Sequence, residues 1–245
     1  METDNMIDKQ QILAHNPWLS DVAYLENSSS TQQDAQADLS DKKLYVADTQ
    51  TGARGRFGRA YFAVKGSGIY MSLALKADDT PENFTILTAA AIVTAIENLT
   101  TKKPQIKWVN DIYLDHKKIC GILVERFLAS GYIIIGVGLN FHITEFPIEL
   151  RDKAGSLFSD TPTITRGDLI AEIWSQFEKL RRSDDFLDIY KAHSFVLGKT
   201  VEFEEHGRTI IGTATDLTEN GELIVNSDGL VKVLSSGEIS LKKWF

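Results

Sequence analysis

The sequence predicts an α+β protein of two unequal parts: a larger part that mixes strands and helices, and a small C-terminal β-barrel. Three observations carry this. Short β-rich apolar runs recur through the first 140 residues, helical segments occur near 80–99 and 165–193, and five short strands crowd into fewer than fifty residues after Phe195.

Residues 44–47 are a short apolar strand that enters a glycine- and arginine-rich loop at 49–59, and 68–75 alternates bulky residues as a strand does. Thr80-Pro81-Glu82 marks a helix start, with a threonine cap, proline at the first helical position and an acid in the first turn; the helix runs on through the alanine-rich 89–99. Residues 106–109 and 119–125 read as two strands of a hairpin around 115–118, and 132–137 is an apolar strand ending at a glycine. Thr165-Arg166-Gly167-Asp168 resembles a capping box with aspartate in the acceptor position. It opens a helix with Leu169, Ile170, Ile173, Trp174, Phe177 and Leu180 on one face, and a second helix covers 186–193. Strands then follow at 201–204, 209–216, 223–226, 231–234 and 238–241, turned by Gly207, Asn220-Gly221 and Asp228-Gly229. The boundary falls near 196–198, which divides the chain into 1–196 and 197–245.

With 245 residues, 43% of them hydrophobic, the chain can bury a large core. The net charge of -8, from 26 basic and 34 acidic residues, argues against binding nucleic acid through the general field. Any anionic ligand must therefore meet a local basic cluster. The lone cysteine, Cys120, forms no internal disulfide and sits in an apolar run, where an inert buried thiol is expected. The N-terminal stretch 1–11 is polar and acidic, unlike a signal peptide, and no apolar run approaches a membrane span. A cytoplasmic protein without a membrane partner is expected.

Three segments carry candidate chemistry. In Gln50-Thr51-Gly52-Ala53-Arg54-Gly55-Arg56-Phe57-Gly58-Arg59, arginines that grip carboxylate or phosphate are interleaved with glycines that let the backbone approach a ligand. Such a loop can close over a nucleotide; a solvated loop or an RNA-binding Arg-Gly run are the alternatives. In Lys107-Trp108-Val109-Asn110-Asp111, followed by Lys118, polar groups at a strand end face one cleft. There a lysine can orient a carboxylate and neutralise developing phosphate charge, and Asp111 can help activate an amine or hold a metal. The plain alternative is a hairpin with a polar turn, which suffices for Lys117. Gly136-Val137-Gly138-Leu139-Asn140 is an incomplete dinucleotide fingerprint, and a strand end with a polar Asn140 describes it better. There is no Walker-type phosphate loop, the five histidines have no metal spacing, and His116 reads as a solvated turn residue.

In order and spacing, Ser30-Thr31-Gln32, Arg54 to Arg59, Lys107 to Asp111, Lys118 to Glu125, Gly136 to Asn140 and Gly237 to Leu241 resemble the signature segments of biotin protein ligases. The likeness spans 30–241. It implies a mixed β-sheet flanked by helices, the class II synthetase-like fold of biotin and lipoate ligases, followed by an SH3-like barrel. It also implies two steps: biotin and ATP with Mg2+ give biotinyl-5'-AMP, and a carrier lysine then takes the biotinyl group. The carrier implied is the biotin carboxyl carrier domain of acetyl-CoA carboxylase or a similar enzyme, served by a monomer or homodimer.

By resemblance, Ser30, Thr31, Gln50, Ala53, Arg54, Arg56, Lys118 and Gly121 would bind biotin. Arg54, Arg56, Gly58, Asn110, Lys118 and Asn140 would bind the nucleotide. Lys118, Arg54, Lys107 and Asp111 would carry the chemistry, with Mg2+ near Asp111. The chain departs from the pattern at Ala53, where a glycine is usual, at Val109, where proline is usual, and at Phe62-Ala63-Val64, where many members carry Ser-Pro. The competing readings are a lipoate or octanoate ligase or transferase of the related fold, and a transcriptional regulator. The second is disfavoured because fewer than thirty residues precede Ser30 and that stretch is acidic rather than basic. A short form without a DNA-binding domain or repressor role is expected.

Overall fold

The computed structural model describes residues 7–77, 83–183, 185–205, 207–235, 237 and 239–241. The helix start expected at 80–82 and the strand residue 238 lie outside these. The elements are α1 (Lys9–His15), β1 (Asp21–Leu25), α2 (Thr31–Asp38), β2 (Lys43–Ala47), β3 (Gly68–Lys76), α3 (Phe84–Leu99), β4 (Gln105–Lys107), β5 (Asp111–Leu114), β6 (Lys117–Phe127), β7 (Tyr132–Asn140), α4 (Arg166–Ser183), α5 (Phe186–His193), β8 (Thr200–Glu205), β9 (Arg208–Leu217), β10 (Leu223–Ser227), β11 (Leu230–Leu234) and β12 (Ser240–Leu241).

The first seven strands form one mixed sheet in the order β1-β2-β3-β7-β6-β5-β4, parallel between β1 and β2 and antiparallel elsewhere. Side chains alternate between its faces. Leu44, Val46, Ile69, Met71, Leu73, Ile135, Val137 and Leu139 point to one face and join the core with Ile86, Leu87, Ile92, Trp174 and Phe177 of α3 and α4. Tyr45, Ala74 and Ile134 point to the other, where they pack on Ala35 of α2. α3 is apolar nearly all round and buried accordingly, with Asn83 as its cap accepting from Ile86 N.

The hairpin differs from expectation. The first strand stops at Lys107, Trp108 to Asn110 form a turn, and Asp111 starts a separate strand that pairs back on β4. The tight turn between β5 and β6 is only Asp115-His116, both in the left-handed region (φ 48° and 67°), as a two-residue type I′ loop requires. The Gly136 to Asn140 segment is the strand end expected, the second half of β7. The last five strands form an antiparallel sheet, β11-β10-β9-β8-β12. The expected barrel takes the form of an open sheet, because β12 has two residues and pairs only with β8 among the described residues.

The two sheets share one core, which includes Val201, Ala214, Leu223 and Ile239. Trp108 Nε1 donates to Gly221 O at 3.0 Å and Lys191 on α5 meets Asp216 on β9 at 2.7 Å. The capping box of α4 forms as expected: Asp168 N donates to Thr165 Oγ1 (3.0 Å), and Thr165 N donates to Asp168 Oδ2 (2.9 Å). Gln11 Nε2 donates to the same carboxylate at 2.7 Å, which ties α1 to α4. Burial pushes the Asp168 pKa up, but the Thr165 and Gln11 hydrogen bonds outweigh it and hold the carboxyl below its ordinary value. A depressed carboxyl pKa stabilises the fold above the unfolded value and loses that contribution as pH falls through the folded one. Asp168→Ala is therefore expected to lower stability by about 1 kcal/mol at neutral pH. In urea unfolding the gap to the wild type should close as the pH drops below about 3.9.

Candidate active site

A cavity of about 460 Å³ opens on the sheet face that α2 leaves uncovered. Its floor is made by missing side chains. Gly136 and Gly138, two apart on β7, drop on the same face, and Gly121 of β6 lies opposite Gly138 in the register. A Cβ on Gly136 would stand 2.6 Å from Gln32 Oε1, and one on Gly138 would stand 2.5 Å from the Tyr61 ring. A Cβ on Gly121 would stand 3.3 Å from Lys118 Cε and Nζ.

One end of the cavity is neutral and polar. Thr31 N donates to Gln50 Oε1 at 2.7 Å, and Thr31 Oγ1 lies 2.8 Å from Ser72 Oγ. Ser72 Oγ donates to Gln32 Oε1 (3.0 Å), and Gln32 Nε2 donates to Ile134 O (3.2 Å). Ser30, the N-cap of α2, joins the wall without capping through its side chain.

The other end is charged. Lys118 Nζ lies 2.6 Å from Asp111 Oδ1. That oxygen is buried and takes no aligned hydrogen bond, so the ammonium meets it as an ion pair. Lys107 pairs with Asp111 in the β4–β5 register and lines the same end. Asn110 is knit to β6, with Nδ2 donating to Ile122 O (2.9 Å), and its Oδ1 accepts from Arg56 at 3.1 Å.

The loop folds over this cavity. Tyr61 N donates to Ala53 O (3.0 Å) and Gly55 N donates to Arg59 O (2.8 Å), so the loop closes on itself. Arg54 donates to Gly58 O at 2.9 Å. Phe57 stands exposed at the tip with φ 58°, and the guanidinium groups of Arg56 and Arg59 lie 5.1 and 5.9 Å from its ring. The base of the loop hangs from a buried ion pair: Arg166, the first residue of α4, donates to Asp48 Oδ1 (2.8 Å) and to Gly68 O (3.2 Å).

The cavity wall therefore brings together Ser30, Thr31, Gln50, Ala53, Arg54, Arg56, Lys107, Asn110, Asp111, Lys118 and Gly121. Gly58 lies outside the wall and acts through its carbonyl. Asn140 sits behind it, where Nδ2 donates to Gly155 O (2.8 Å) and Oδ1 accepts a long hydrogen bond from Tyr61 (3.4 Å). Burial pushes the Tyr61 phenol well above its ordinary value, so it keeps that proton. Burial also pushes the Cys120 thiol up, which fits an inert core cysteine. The sequence reading missed Gln32, Tyr61, Ser72, Gly136, Gly138, Gly237, Ile239 and Ser240 as wall residues. The glycine pair at spacing two inside an apolar strand was the available signal for the floor; nothing local marks the contribution of the distant C-terminal sheet.

Residues 23–140 match the biotin/lipoate A/B protein ligase family, and residues 196–242 match the biotin protein ligase C terminal domain. The fold thus has the architecture of the biotin and lipoate protein ligases. Among relatives, the bifunctional ligase/repressor BirA of Bacillus subtilis is 32% identical over 242 residues, covering 90% of this chain and 74% of that one. The biotin--[acetyl-CoA-carboxylase] ligase of Mycobacterium tuberculosis is 28% identical over 213 residues, covering 81% and 79%. The structure of the biotin protein ligase from Aquifex aeolicus in complex with biotin and ATP superposes with a TM-score of 0.78 at 26% identity, covering 92% of this chain and all of that one. The chain belongs to the biotin protein ligase family.

The floor should not tolerate a methyl group. Gly138→Ala is expected to cost about 1–3 kcal/mol by overpacking against the Tyr61 ring. Gly55→Ala, where a Cβ meets only Arg59 O at 3.9 Å, should be neutral or stabilise by up to about 1 kcal/mol. Paired urea titrations measure the contrast.

Proposed function

We propose that this enzyme ligates biotin to a lysine of a biotin carboxyl carrier domain, through biotinyl-5'-AMP, with ATP and Mg2+. The observation that carries this is the polarity of the cavity, neutral hydrogen-bonding groups at one end and Lys118, Asp111 and Arg56 at the other. Biotin has the matching polarity, with a cyclic urea at one end, an apolar ring and chain between, and a carboxylate at the other.

In this reading Ser30, Thr31 and Gln50 take the urea, and Gly121 with the neighbouring glycines lets the backbone lie against the ring. Lys118 meets the carboxylate and orients it toward the α-phosphorus of ATP. A carboxylate oxygen bonds to that phosphorus as pyrophosphate leaves, and the Lys118 and Arg56 charges offset the charge on the phosphate oxygens. Magnesium characteristically takes one or two carboxylates plus substrate phosphates; Asp111, the one carboxylate among the described wall residues, would be the protein's donor, its Oδ1 exchanging Lys118 (2.6 Å) for the ion. When bound, the ion would neutralise the polyphosphate.

The product is a mixed anhydride that water destroys, and the loop with Ala53, Arg54, Arg56 and Gly58 shields it. Asn110 holds Arg56 in place, and Asn140, fixed by Gly155, would meet the nucleotide from behind Tyr61. In the second step the carrier amine attacks the acyl carbon, a C–N bond forms and AMP leaves. Asp111 and Lys107, at the charged end, stand where they can receive the amine proton and steady the leaving phosphate.

Residues 1–196 would be the catalytic part, with 197–245 adding Gly237, Ile239 and Ser240 to the wall. No helix among the described residues is long and apolar enough to cross a membrane. We infer a cytoplasmic monomer or homodimer, where Cys120 stays a thiol, and no repressor role, since the net charge of -8 disfavours DNA.

Mass spectrometry of an apo carrier domain incubated with the protein, magnesium, ATP and either biotin or lipoate tests the reaction. A single biotin addition, lost in Lys118→Ala, is expected; addition of lipoate alone would move the assignment to the lipoate ligases. In a gel-shift titration with promoter DNA, no sequence-specific, salt-sensitive complex should form.

A further inference from the structure

The neutral end of the cavity contains a hydrogen-bond chain whose proton positions follow from which groups can only donate or only accept. Ile134 O can only accept, so the Gln32 amide turns its nitrogen to Ile134 (3.2 Å) and its oxygen to Ser72. An amide oxygen can only accept, so Ser72 spends its single hydroxyl proton on Gln32 (3.0 Å). The Thr31 proton then has two acceptors, Ser72 Oγ at 2.8 Å and, at 3.3 Å, a Gln50 Oε1 already engaged by Thr31 N–H at 2.7 Å; the shorter contact to Ser72 takes it. Separately, Thr31 N–H can only donate, so the Gln50 amide turns its oxygen to that nitrogen (2.7 Å). No hydrogen bond from the Gln50 amide nitrogen is formed among the described residues, and Gln50 lines the cavity.

The consequence is a wall of fixed polarity. Gln50 offers an N–H donor, and Thr31, its proton held on Ser72, offers oxygen lone pairs. A group with a carbonyl beside an N–H satisfies both. A cyclic urea has that edge; the dithiolane ring of lipoate has neither part and would strand both wall groups. We propose that Ser72 and Gln32 are specificity-determining positioning residues, which lock the Thr31 hydroxyl as an acceptor toward the cavity and so select a cyclic urea over an apolar ring. This rests on the biotin ligase reading above. Neither residue needs to touch the reacting carboxylate, which lies at the opposite, charged end. Their influence should fall on the affinity for the ring, leaving kcat and the KM for ATP alone.

Calorimetric titration of the full chain with biotin and lipoate, with biotin- and ATP-dependent steady-state rates, tests this. Ser72→Ala removes the short contact that holds the Thr31 proton and leaves only the long one to Gln50 Oε1 (3.3 Å), so the proton can turn into the cavity, where it opposes the urea N–H. The Kd and KM for biotin are expected to rise about tenfold, the worth of one hydrogen bond left unmade. Ser72→Thr keeps the hydroxyl and should restore wild-type affinity. Gln32→Leu should weaken biotin through the same route, and the double variant Ser72→Ala with Gln32→Leu should be no weaker than Ser72→Ala alone, because both act through one proton. A simple packing defect would add its costs and would disturb the ATP KM as well. Should Ser72→Ala fail to fold, Gln32→Leu against Gln32→Glu, which keeps the acceptor, carries the same contrast. A wild type that binds biotin while these variants bind it equally well overturns the proposal and leaves the ligase reading standing. A wild type that binds lipoate and not biotin overturns both.

Discussion

The site exists because one face of the central sheet is allowed to be empty. The other face is filled by α3 and α4 down to Trp174 and Phe177, with no room for a ligand. Alternation along a strand means that glycines two apart vacate the same face, and antiparallel register then sets Gly121 beside Gly138. Each missing Cβ is replaced by something from elsewhere in the chain: Gln32 over Gly136, Tyr61 over Gly138, Lys118 over Gly121. The cavity's hydrophobic floor, its polar end and its charged end are thus all registered on three positions of a rigid sheet.

The arginine loop is tied to that sheet by an interaction outside the cavity wall. A buried ion pair such as Arg166–Asp48 costs desolvation and is weak evidence for stability. Its geometry gives it another use. Asp48 follows β2 and Gly68 opens β3, and Arg166 binds both, so the two ends of the arginine loop are pinned at its base while Arg56, held by Asn110, fixes the loop over the cavity. In a chain of net charge -8, that loop, Lys107 and Lys118 concentrate positive potential at one end of one cavity, which is where an anionic substrate would be drawn.

Much of this was legible in the sequence. The helix at Thr165 was readable because a capping box is local, and the C-terminal strands because Asn-Gly and Asp-Gly turns are local. The likeness of six short segments to one family picked out eleven of the wall residues. What escaped depended on tertiary context. Residues 31–38 carry no apolar stripe, so α2 had no periodic signal, and only Ala35 and Thr31 are buried in it. Ser72 lies within a strand read from its alternating bulky residues, and nothing local marks the contact of its hydroxyl with Thr31. The break of the hairpin at Trp108 was hidden because 106–109 is apolar enough for strand.

That break also explains how Val109 stands where proline is usual. Proline would stiffen the turn by fixing φ. Here the stiffness comes from neighbours: Val109 O accepts from Tyr190 of α5 at 3.1 Å, and the adjoining Trp108 indole donates to Gly221 of the second sheet. Ala53 shows the same economy from the other side. It keeps out of the left-handed region and its carbonyl accepts from Tyr61 N–H, while the left-handed conformation of the loop falls to Phe57 and Gly58. A non-glycine residue at such φ costs about 1–2 kcal/mol, and the guanidinium groups flanking Phe57 offset part of it through contacts with the ring. Both departures leave the charged groups of the cavity wall in place, because they alter how the backbone is held and not what the wall presents.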